Sequence, residues 1–130
     1  MKGNWSVTKP VVYVVDDDAA VRDSFHILLE SNGFDVRTYM STAMFLAEMP
    51  PLESSCLILD VNMPELDGIE LLGQLRRNGV MVPAILVTGG GITSCLVSKA
   101  GRSGVALLEK PVIAQELVSE VYRSLGLSRG

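Results

Sequence analysis

The sequence predicts an α/β protein built from a single (βα)₅ unit, which is a doubly wound parallel sheet with helices on both faces. Two observations predict this fold class. Short apolar runs rich in Val, Ile and Leu recur along the chain, as is typical of buried parallel strands. Between them lie segments whose apolar residues are three or four positions apart, as in amphipathic helices. Strands that alternate with helices in this way form parallel sheets with right-handed crossovers.

Five segments are predicted as strands. Four are continuous apolar runs that end at or next to a polar residue. The second strand instead alternates apolar and polar residues, which is typical of a half-covered strand at the edge of a sheet. We predict the strands at residues 11–15, 34–39, 56–60, 84–88 and 105–109.

Five helices are predicted from their apolar faces and from the residues at their ends. Asp18 is an N-cap for the first helix, Gly33 ends it, and Ser41 caps the second. We predict the helices at residues 19–31, 42–49, 69–77, 93–100 and 113–125. Glycine and serine crowd the fourth segment, and glycine costs about 1 kcal/mol in a helix interior. We therefore expect the fourth helix to be short or mobile.

The composition fits one compact domain. The 130 residues are 48% hydrophobic, which is enough for a full core. The net charge of −4 argues against a surface that binds nucleic acid, and no apolar stretch approaches the ~20 residues that span a membrane. Residues 1–10 lack the apolar core of a signal peptide, so we expect a cytoplasmic protein. We expect a flexible arm at residues 1–9, which contains Trp5, and one domain at residues 10–127.

Three further features are interpreted as structural. Cys56 and Cys95 form no CxxC pair, and we expect both to be small buried hydrophobic residues. His26 falls in the first helix, away from the strand ends. The three glycines at 89–91 match neither GxxxxGK[ST] nor GxGxxG, and we predict a flexible loop there rather than a phosphate-binding loop.

Polar residues suited to phosphoryl chemistry follow four of the predicted strands. Asp16 and Asp17 follow the first, Asp60 ends the third, Thr88 ends the fourth and Lys110 follows the fifth. Because ligands of open parallel sheets bind at the carboxyl ends of the strands, we expect these groups to converge. Crowded carboxylates need a cation, and their hard oxygens favour Mg²⁺.

Asp60 is the candidate nucleophile of this cluster. A carboxylate oxygen can attack phosphorus and form an aspartyl phosphate. Mg²⁺ would neutralise and align the phosphoryl oxygens, Lys110 would balance the remaining charge, and the Thr88 hydroxyl would donate to one oxygen. Phosphoryl transfer demands mainly such positioning and electrostatic stabilisation.

With these residues in place, the chain resembles a two-component response-regulator receiver domain over about residues 11–125. The matching motifs are VVDDD at 14–18, LDVNMPELDG at 59–68, VTG at 87–89 and EKP at 109–111. The segment SNGFDVRTY is similar to FixJ-type receivers. The resemblance implies a flavodoxin-like, CheY-like fold with strand order 2-1-3-4-5. It also implies a cis peptide bond between Lys110 and Pro111.

The resemblance implies a role for each residue of the cluster. Asp60 would accept a phosphoryl group from a sensor histidine kinase, Thr88 would shift toward that group, and Lys110 would pair with it. The implied Mg²⁺ site, which Mn²⁺ could also fill, consists of Asp17, Asp60, the backbone carbonyl of Asn62 and, through a water, Asp16.

The implied function is a signalling switch and not an enzyme, apart from its own phosphorylation and dephosphorylation. The implied partners are the kinase, an output domain or effector protein, and a second copy of the chain on phosphorylation. Neither nucleic acid nor a membrane is an expected direct partner. FixJ-type receivers are often followed by a helix-turn-helix domain, so control of transcription is the favoured output, although these 130 residues contain no such domain.

The chain departs from the family pattern at Leu107, where a Tyr or Phe usually turns inward, and in its weak, glycine-rich fourth helix. These departures keep open a degenerate receiver that only binds other proteins. A Mg²⁺-dependent phosphatase is the other alternative, but Asn62 stands where such enzymes commonly carry an acid/base aspartate and cannot protonate a leaving group. We also expect Asn62 and Gly90 to line the approach of water, which would leave the phosphoryl group short-lived.

Overall fold

The computed structural model describes residues 9–127. All of the predicted arm except Lys9 lies outside the described residues, and so does Trp5. The strands are β1 (Val11–Val15), β2 (Asp35–Tyr39), β3 (Ser55–Asp60), β4 (Ala84–Thr88) and β5 (Ala106–Glu109). The helices are α1 (Ala19–Ser31), α2 (Thr42–Glu48), α3 (Gly68–Arg77), α4 (Ser94–Ser103) and α5 (Ala114–Ser124).

The five strands form one parallel sheet in the order β2-β1-β3-β4-β5. Each strand alternates with a helix along the chain, and the predicted fold class and strand order are therefore confirmed. β1 lies between β2 and β3, with Val15 opposite both Tyr39 and Leu59. Leu86 of β4 in turn lies opposite Leu59 and Leu107. This in-step register brings the carboxyl ends of the strands to one edge of the sheet.

Side-chain caps fix where the first three helices begin. The Asp18 carboxylate accepts hydrogen bonds from the backbone N–H groups of Ala20 and Val21 at the start of α1. The Ser41 hydroxyl accepts the N–H of Met44 in α2. At α3 the carboxylate of Asp67 and that of Glu70 accept each other's backbone N–H, which is a capping box.

The prediction for the end of α4 is wrong. The helix continues to Ser103, three residues beyond the predicted end. Leu96 and Ala100 are buried, with Ala100 packed among apolar residues of the sheet, and this burial outweighs the propensity cost of Gly101. Gly104 then ends the helix in the left-handed conformation at φ 67°, where its N–H donates to the carbonyls of Ala100 and Gly101. The predicted mobility of this segment stays a prediction.

The sheet separates two apolar layers. Alternate strand residues point to opposite faces, so each strand contributes to both layers. The α4-side layer packs side chains of α2, α3 and α4 on the sheet, and its buried helix residues are Phe45, Leu71, Leu72, Leu75 and Ala100. The α1-side layer packs α1 and α5 on the other face, and its buried helix residues are Phe25, Leu29, Leu117, Val118 and Val121.

The two cysteines differ in their surroundings. Cys56 is fully buried in β3, as predicted. Cys95 is exposed, so its predicted burial is wrong, because it lies on the outer face of α4 beside the inward-facing Leu96. His26 lies on α1 with its ring 3.2 Å from the exposed Glu30 carboxylate, away from the strand ends. Within residues 9–127, no helix is long and apolar enough to cross a membrane.

Candidate functional site

The parallel register gathers the predicted site residues at the carboxyl edge of the sheet. Asp16 directly follows β1, and its N–H donates to the carbonyl of Tyr39. Asp60 and Thr88 are the last residues of β3 and β4. Lys110 directly follows β5, and its N–H donates to the Thr88 carbonyl at 2.8 Å. Backbone hydrogen bonds thus position these residues before any side chain contributes.

Three carboxylates form the acidic cluster of the site. Asp16, Asp17 and Asp60 each offer an oxygen, and these oxygens all lie within 4.8 Å of one another. Asp16 and Asp60 are only 2% exposed, whereas Asp17 is exposed to solvent. Carboxylate oxygens at this spacing suit a hard divalent cation such as Mg²⁺.

Lys110 provides the positive charge next to the cluster. Its Nζ lies 2.9 Å from Oδ2 of Asp16 and 3.4 Å from Oδ2 of Asp60. Burial lowers the pKa of Lys110, but the hydrogen bond and charge of Asp16, followed by those of Asp60, outweigh burial and raise its pKa overall. The ammonium is therefore held in its charged form between the two buried carboxylates.

The surroundings of Asp60 act on its pKa in opposite directions and raise it overall. Burial is the largest cause of its raised pKa, and the neighbouring charge of Asp16 adds to it. The Asn62 N–H, which donates to Asp60 Oδ1 at 2.9 Å, and the charge of Lys110 oppose this increase. A divalent cation beside the cluster would favour the ionised carboxylate further.

Asp16 is fully engaged within the protein. Its Oδ1 accepts the backbone N–H of Asp18 at 2.9 Å, and its Oδ2 contacts Lys110. Its backbone carbonyl accepts a hydrogen bond from the guanidinium of Arg22 at 2.8 Å. The Asp16 side chain is thereby fixed in one orientation.

A hydrogen-bonded network around the Asn62 side chain was not predicted from the sequence. The Thr88 hydroxyl, in a side chain only 1% exposed, donates to Asn62 Oδ1 at 3.0 Å, with the Gly91 carbonyl at 3.4 Å as the alternative acceptor. The backbone N–H groups of Gly89 and Gly90 also donate to Asn62 Oδ1, at 2.8 and 3.2 Å. The amide oxygen therefore joins the β3–α3 loop to the β4–α4 loop. Residue spacing carries no signal for such a side-chain contact.

Gly68 is a second feature that the sequence reasoning missed, since Asp67 and Gly68 read only as turn residues. A Cβ at Gly68 would lie 2.6 Å from the carbonyl oxygen of Asp60 and 2.9 Å from Cβ of Leu59. Only glycine lets α3 start so close to the end of β3. Gly68 thereby supports the backbone that carries Asp60.

The remaining expectations concern residues beside the cluster. The peptide bond between Lys110 and Pro111 is cis, as expected. Leu107, where the resemblance implies an aromatic residue, is half-buried and packs on the α4-side layer. An open groove of about 460 Å³ next to Lys110 is lined by Ala20, Val21, Ser24, Phe25, Pro111 and Val112.

Comparisons with known proteins identify the family and the fold of the chain. The family model for the response regulator receiver domain matches residues 12–122. The chain is 42% identical over 118 residues to the transcriptional regulatory protein FixJ of Bradyrhizobium diazoefficiens, which is 91% of this chain and 58% of FixJ. It is 34% identical over 117 residues to the tetrathionate response regulatory protein TtrR of Salmonella typhimurium, covering 90% of this chain and 57% of TtrR.

A solved structure, the crystal structure of FixJ-N, has the same fold. It superposes with a TM-score of 0.82 at 30% identity and covers 92% of this chain and 96% of that one. The chain spans less than two thirds of the length of the curated relatives named above. The family model nevertheless matches most of the chain, and the chain belongs to the response-regulator receiver domains.

Proposed function

We propose that this receiver accepts a phosphoryl group on Asp60 from a sensor histidine kinase, with Mg²⁺, and that phosphorylation controls an output. The observation that carries the proposal is the joint placement of Asp60, its two neighbouring carboxylates and the Lys110 ammonium at one edge of the sheet. In phosphoryl transfer most of the catalysis comes from positioning and charge stabilisation, which is what this arrangement offers.

In the transfer step, a carboxylate oxygen of Asp60 attacks the phosphorus atom of the kinase's phosphohistidine. An O–P bond forms and the P–N bond breaks, with its electron pair leaving on the imidazole nitrogen. The product is an acyl phosphate on Asp60. Lys110, 3.4 Å from Asp60 Oδ2, compensates the charge on the phosphoryl oxygens, and the Thr88 hydroxyl donates to one of them after it moves.

Mg²⁺, or Mn²⁺ in its place, would supply charge neutralisation and alignment of the phosphoryl oxygens. We assign its direct ligands to Asp17, Asp60 and the backbone carbonyl of Asn62. Asp17 suits this role because its carboxylate is exposed and has an oxygen within 4.8 Å of oxygens of Asp16 and Asp60. Asp16 would act through a water, as the resemblance implies, while its carboxylate oxygens keep their contacts with the Asp18 N–H and Lys110.

The curated relatives are longer than this chain, which supports the proposal that the output is provided by a further domain or by another protein. The chain matches 58% of FixJ, whose name describes a transcriptional regulatory protein. We propose that residues 10–127 act as one cytoplasmic receiver domain. Its output is a transcription-controlling domain elsewhere in the full protein or a separate effector, and phosphorylation favours a homodimer. The apolar groove beside Lys110 is where the kinase would approach Asp60.

Intact mass after incubation with Mg²⁺ and acetyl phosphate tests the proposal. One phosphoryl adduct is expected, and it should be absent from Asp60→Asn and from samples with EDTA. Because fast hydrolysis would hide the adduct, the same proteins are also titrated with beryllofluoride, which mimics the acyl phosphate. If wild type forms no adduct and does not bind beryllofluoride with Mg²⁺, the phosphoryl function is refuted.

The degenerate receiver remains a second candidate because of Leu107. A leucine has no ring to turn inward and no hydroxyl to expose, so the usual output through α4 and β5 would be altered. Phosphorylation on Asp60 separates the two candidates, and the absence of both an adduct and beryllofluoride binding would favour the degenerate receiver. The phosphatase alternative has no observation in its favour, and its test is multiple turnover of small phosphate esters.

A further inference from the structure

The Asn62 side chain has a task beyond the metal site, which uses only its backbone carbonyl. Its Oδ1 accepts three hydrogen bonds from the β4–α4 loop, one from the Thr88 hydroxyl and two from the N–H groups of Gly89 and Gly90. A carbonyl-type oxygen has two lone pairs, so this acceptor is fully used. The Gly90 N–H is also 3.2 Å from the Thr88 hydroxyl oxygen, which ties the loop and the hydroxyl together.

These contacts commit the Thr88 hydroxyl proton to acceptors other than the Asp60 carboxylate. A hydroxyl has a single proton to donate, and within residues 9–127 its acceptors are Asn62 Oδ1 and the Gly91 carbonyl. The Asn62 backbone N–H meanwhile donates to Asp60 Oδ1. The same residue thus contacts the acceptor through its main chain and the switching threonine through its side chain.

We propose that the Asn62 side chain is a positioning residue that latches Thr88, Gly89 and Gly90 in the unphosphorylated arrangement. The proposal rests on the function proposed above, in which Thr88 moves to the phosphoryl group. In that movement the Thr88 hydroxyl keeps its proton but donates its hydrogen bond to a phosphoryl oxygen instead of to Asn62 Oδ1, so the latch must break. The strength of the latch therefore sets how much of the free protein is in the switched state.

Loss of the latch should change the affinity for beryllofluoride in a predictable direction. A ligand that needs the switched state binds more weakly in proportion to how rarely that state is populated. A hydrogen bond of ordinary strength corresponds to about a 3- to 10-fold bias. Asn62→Ala, which keeps the backbone carbonyl and N–H, should therefore bind beryllofluoride about 3- to 10-fold more tightly. A side chain with a merely structural role would give the opposite result, because damage to the site weakens binding.

The experiment uses ¹⁵N-labelled protein with Mg²⁺ and beryllofluoride. In wild type the amide signals of Gly89 and Gly90 should shift on binding. In Asn62→Ala without beryllofluoride they should already lie toward the bound positions. Asn78→Ala is the matched control, since its side-chain amide donates to Gln74 at the C-terminal end of α3, and it should behave as wild type.

A second variant covers the case in which Asn62→Ala does not fold. A Cβ at Gly90 would lie 3.2 Å from Asn62 Nδ2, so Gly90→Ala should displace the amide and tighten beryllofluoride binding in the same direction. The latch is refuted if the folded variant binds with wild-type or lower affinity, or if the Gly89 signal stays at its free position. Failure of wild type itself to respond to beryllofluoride would instead refute the proposed function.

Discussion

The close approach of α3 to the end of β3 makes Gly68→Ala a demanding test of the structure. The added Cβ would lie 2.6 Å from the Asp60 carbonyl oxygen and 2.9 Å from Cβ of Leu59. Leu59 is fully buried and Asp60 is paired within the sheet, so neither can move aside without cost. Adding a methyl group to such a well-packed site costs about 1–3 kcal/mol.

Gly73→Ala is the matched control because it makes the same chemical change in the same helix. There the added Cβ would meet only Nη1 of Arg77 at 3.3 Å, which is the end of a flexible side chain. Alanine is favoured over glycine in a helix interior by about 1 kcal/mol. Gly73→Ala should therefore stabilise the fold, and the two variants should differ by about 2–4 kcal/mol in unfolding free energy.

Urea unfolding followed by far-UV circular dichroism measures this difference. The slope with denaturant should be unchanged in both variants, so that the midpoints report stability directly. Gly68→Ala should also slow phosphorylation by acetyl phosphate, because the backbone that carries Asp60 has to shift. The reasoning fails if Gly68→Ala is as stable as wild type or more stable.

Three further predictions follow from the site and the cysteines. Mg²⁺ at 100 times its dissociation constant should raise the unfolding free energy of wild type by about 2.7 kcal/mol. Thermal melts should show that Asp17→Asn, a change at an exposed carboxylate of the cluster, loses most of this gain. In EDTA the melt of this variant should stay close to that of wild type. Because the pKa of Asp60 is raised in the native state, its ionised form lowers stability, so without Mg²⁺ Asp60→Asn should be more stable than wild type at pH 7. The extra stability of Asp60→Asn should shrink as the pH falls through the raised pKa of Asp60, and it should vanish below the ordinary pKa of 3.8. Urea titrations at pH 7 and pH 3.5 measure it, and a larger gain at pH 3.5 than at pH 7 would contradict the prediction. A thiol reagent should modify the exposed Cys95 in native protein and reach Cys56, whose pKa burial raises to about 12, only after unfolding, as peptide mass mapping would show.

The alternation of strands and helices and the location of the site were predictable because both follow from local patterns, whereas the strand order came from the resemblance to receiver domains. The run 84–87 is apolar on both faces and ends at Thr88, which is typical of a strand covered by helices on both sides. Parallel strands end at a common edge, and the residues that follow them meet there whatever their separation in sequence. The caps at Asp18 and Ser41 were predictable for the same reason, since a cap acts within three residues.

The features that were missed depend on contacts between distant segments. The end of α4 was placed too early because propensity counts Gly101 as a breaker but cannot include the burial of Ala100 on the sheet. The exposure of Cys95 depends on which face of that helix packs inward. The network of Asn62 joins two loops through one amide oxygen, and its geometry exists only after the sheet has formed.

The separation of the interior into two layers has a consequence for protein engineering. Ala84, Leu86 and Leu107 belong to the α4-side layer. Strand alternation places Thr88 on the same face of β4 as Ala84 and Leu86. The α1-side layer contains neither Thr88 nor Leu107. We expect that core substitutions under α1 and α5 can make the protein more resistant to heat while leaving the equilibrium between its unphosphorylated and switched states unchanged. Thermal stability and the equilibrium between the two states could then be adjusted independently, by substitutions on opposite faces of a single sheet.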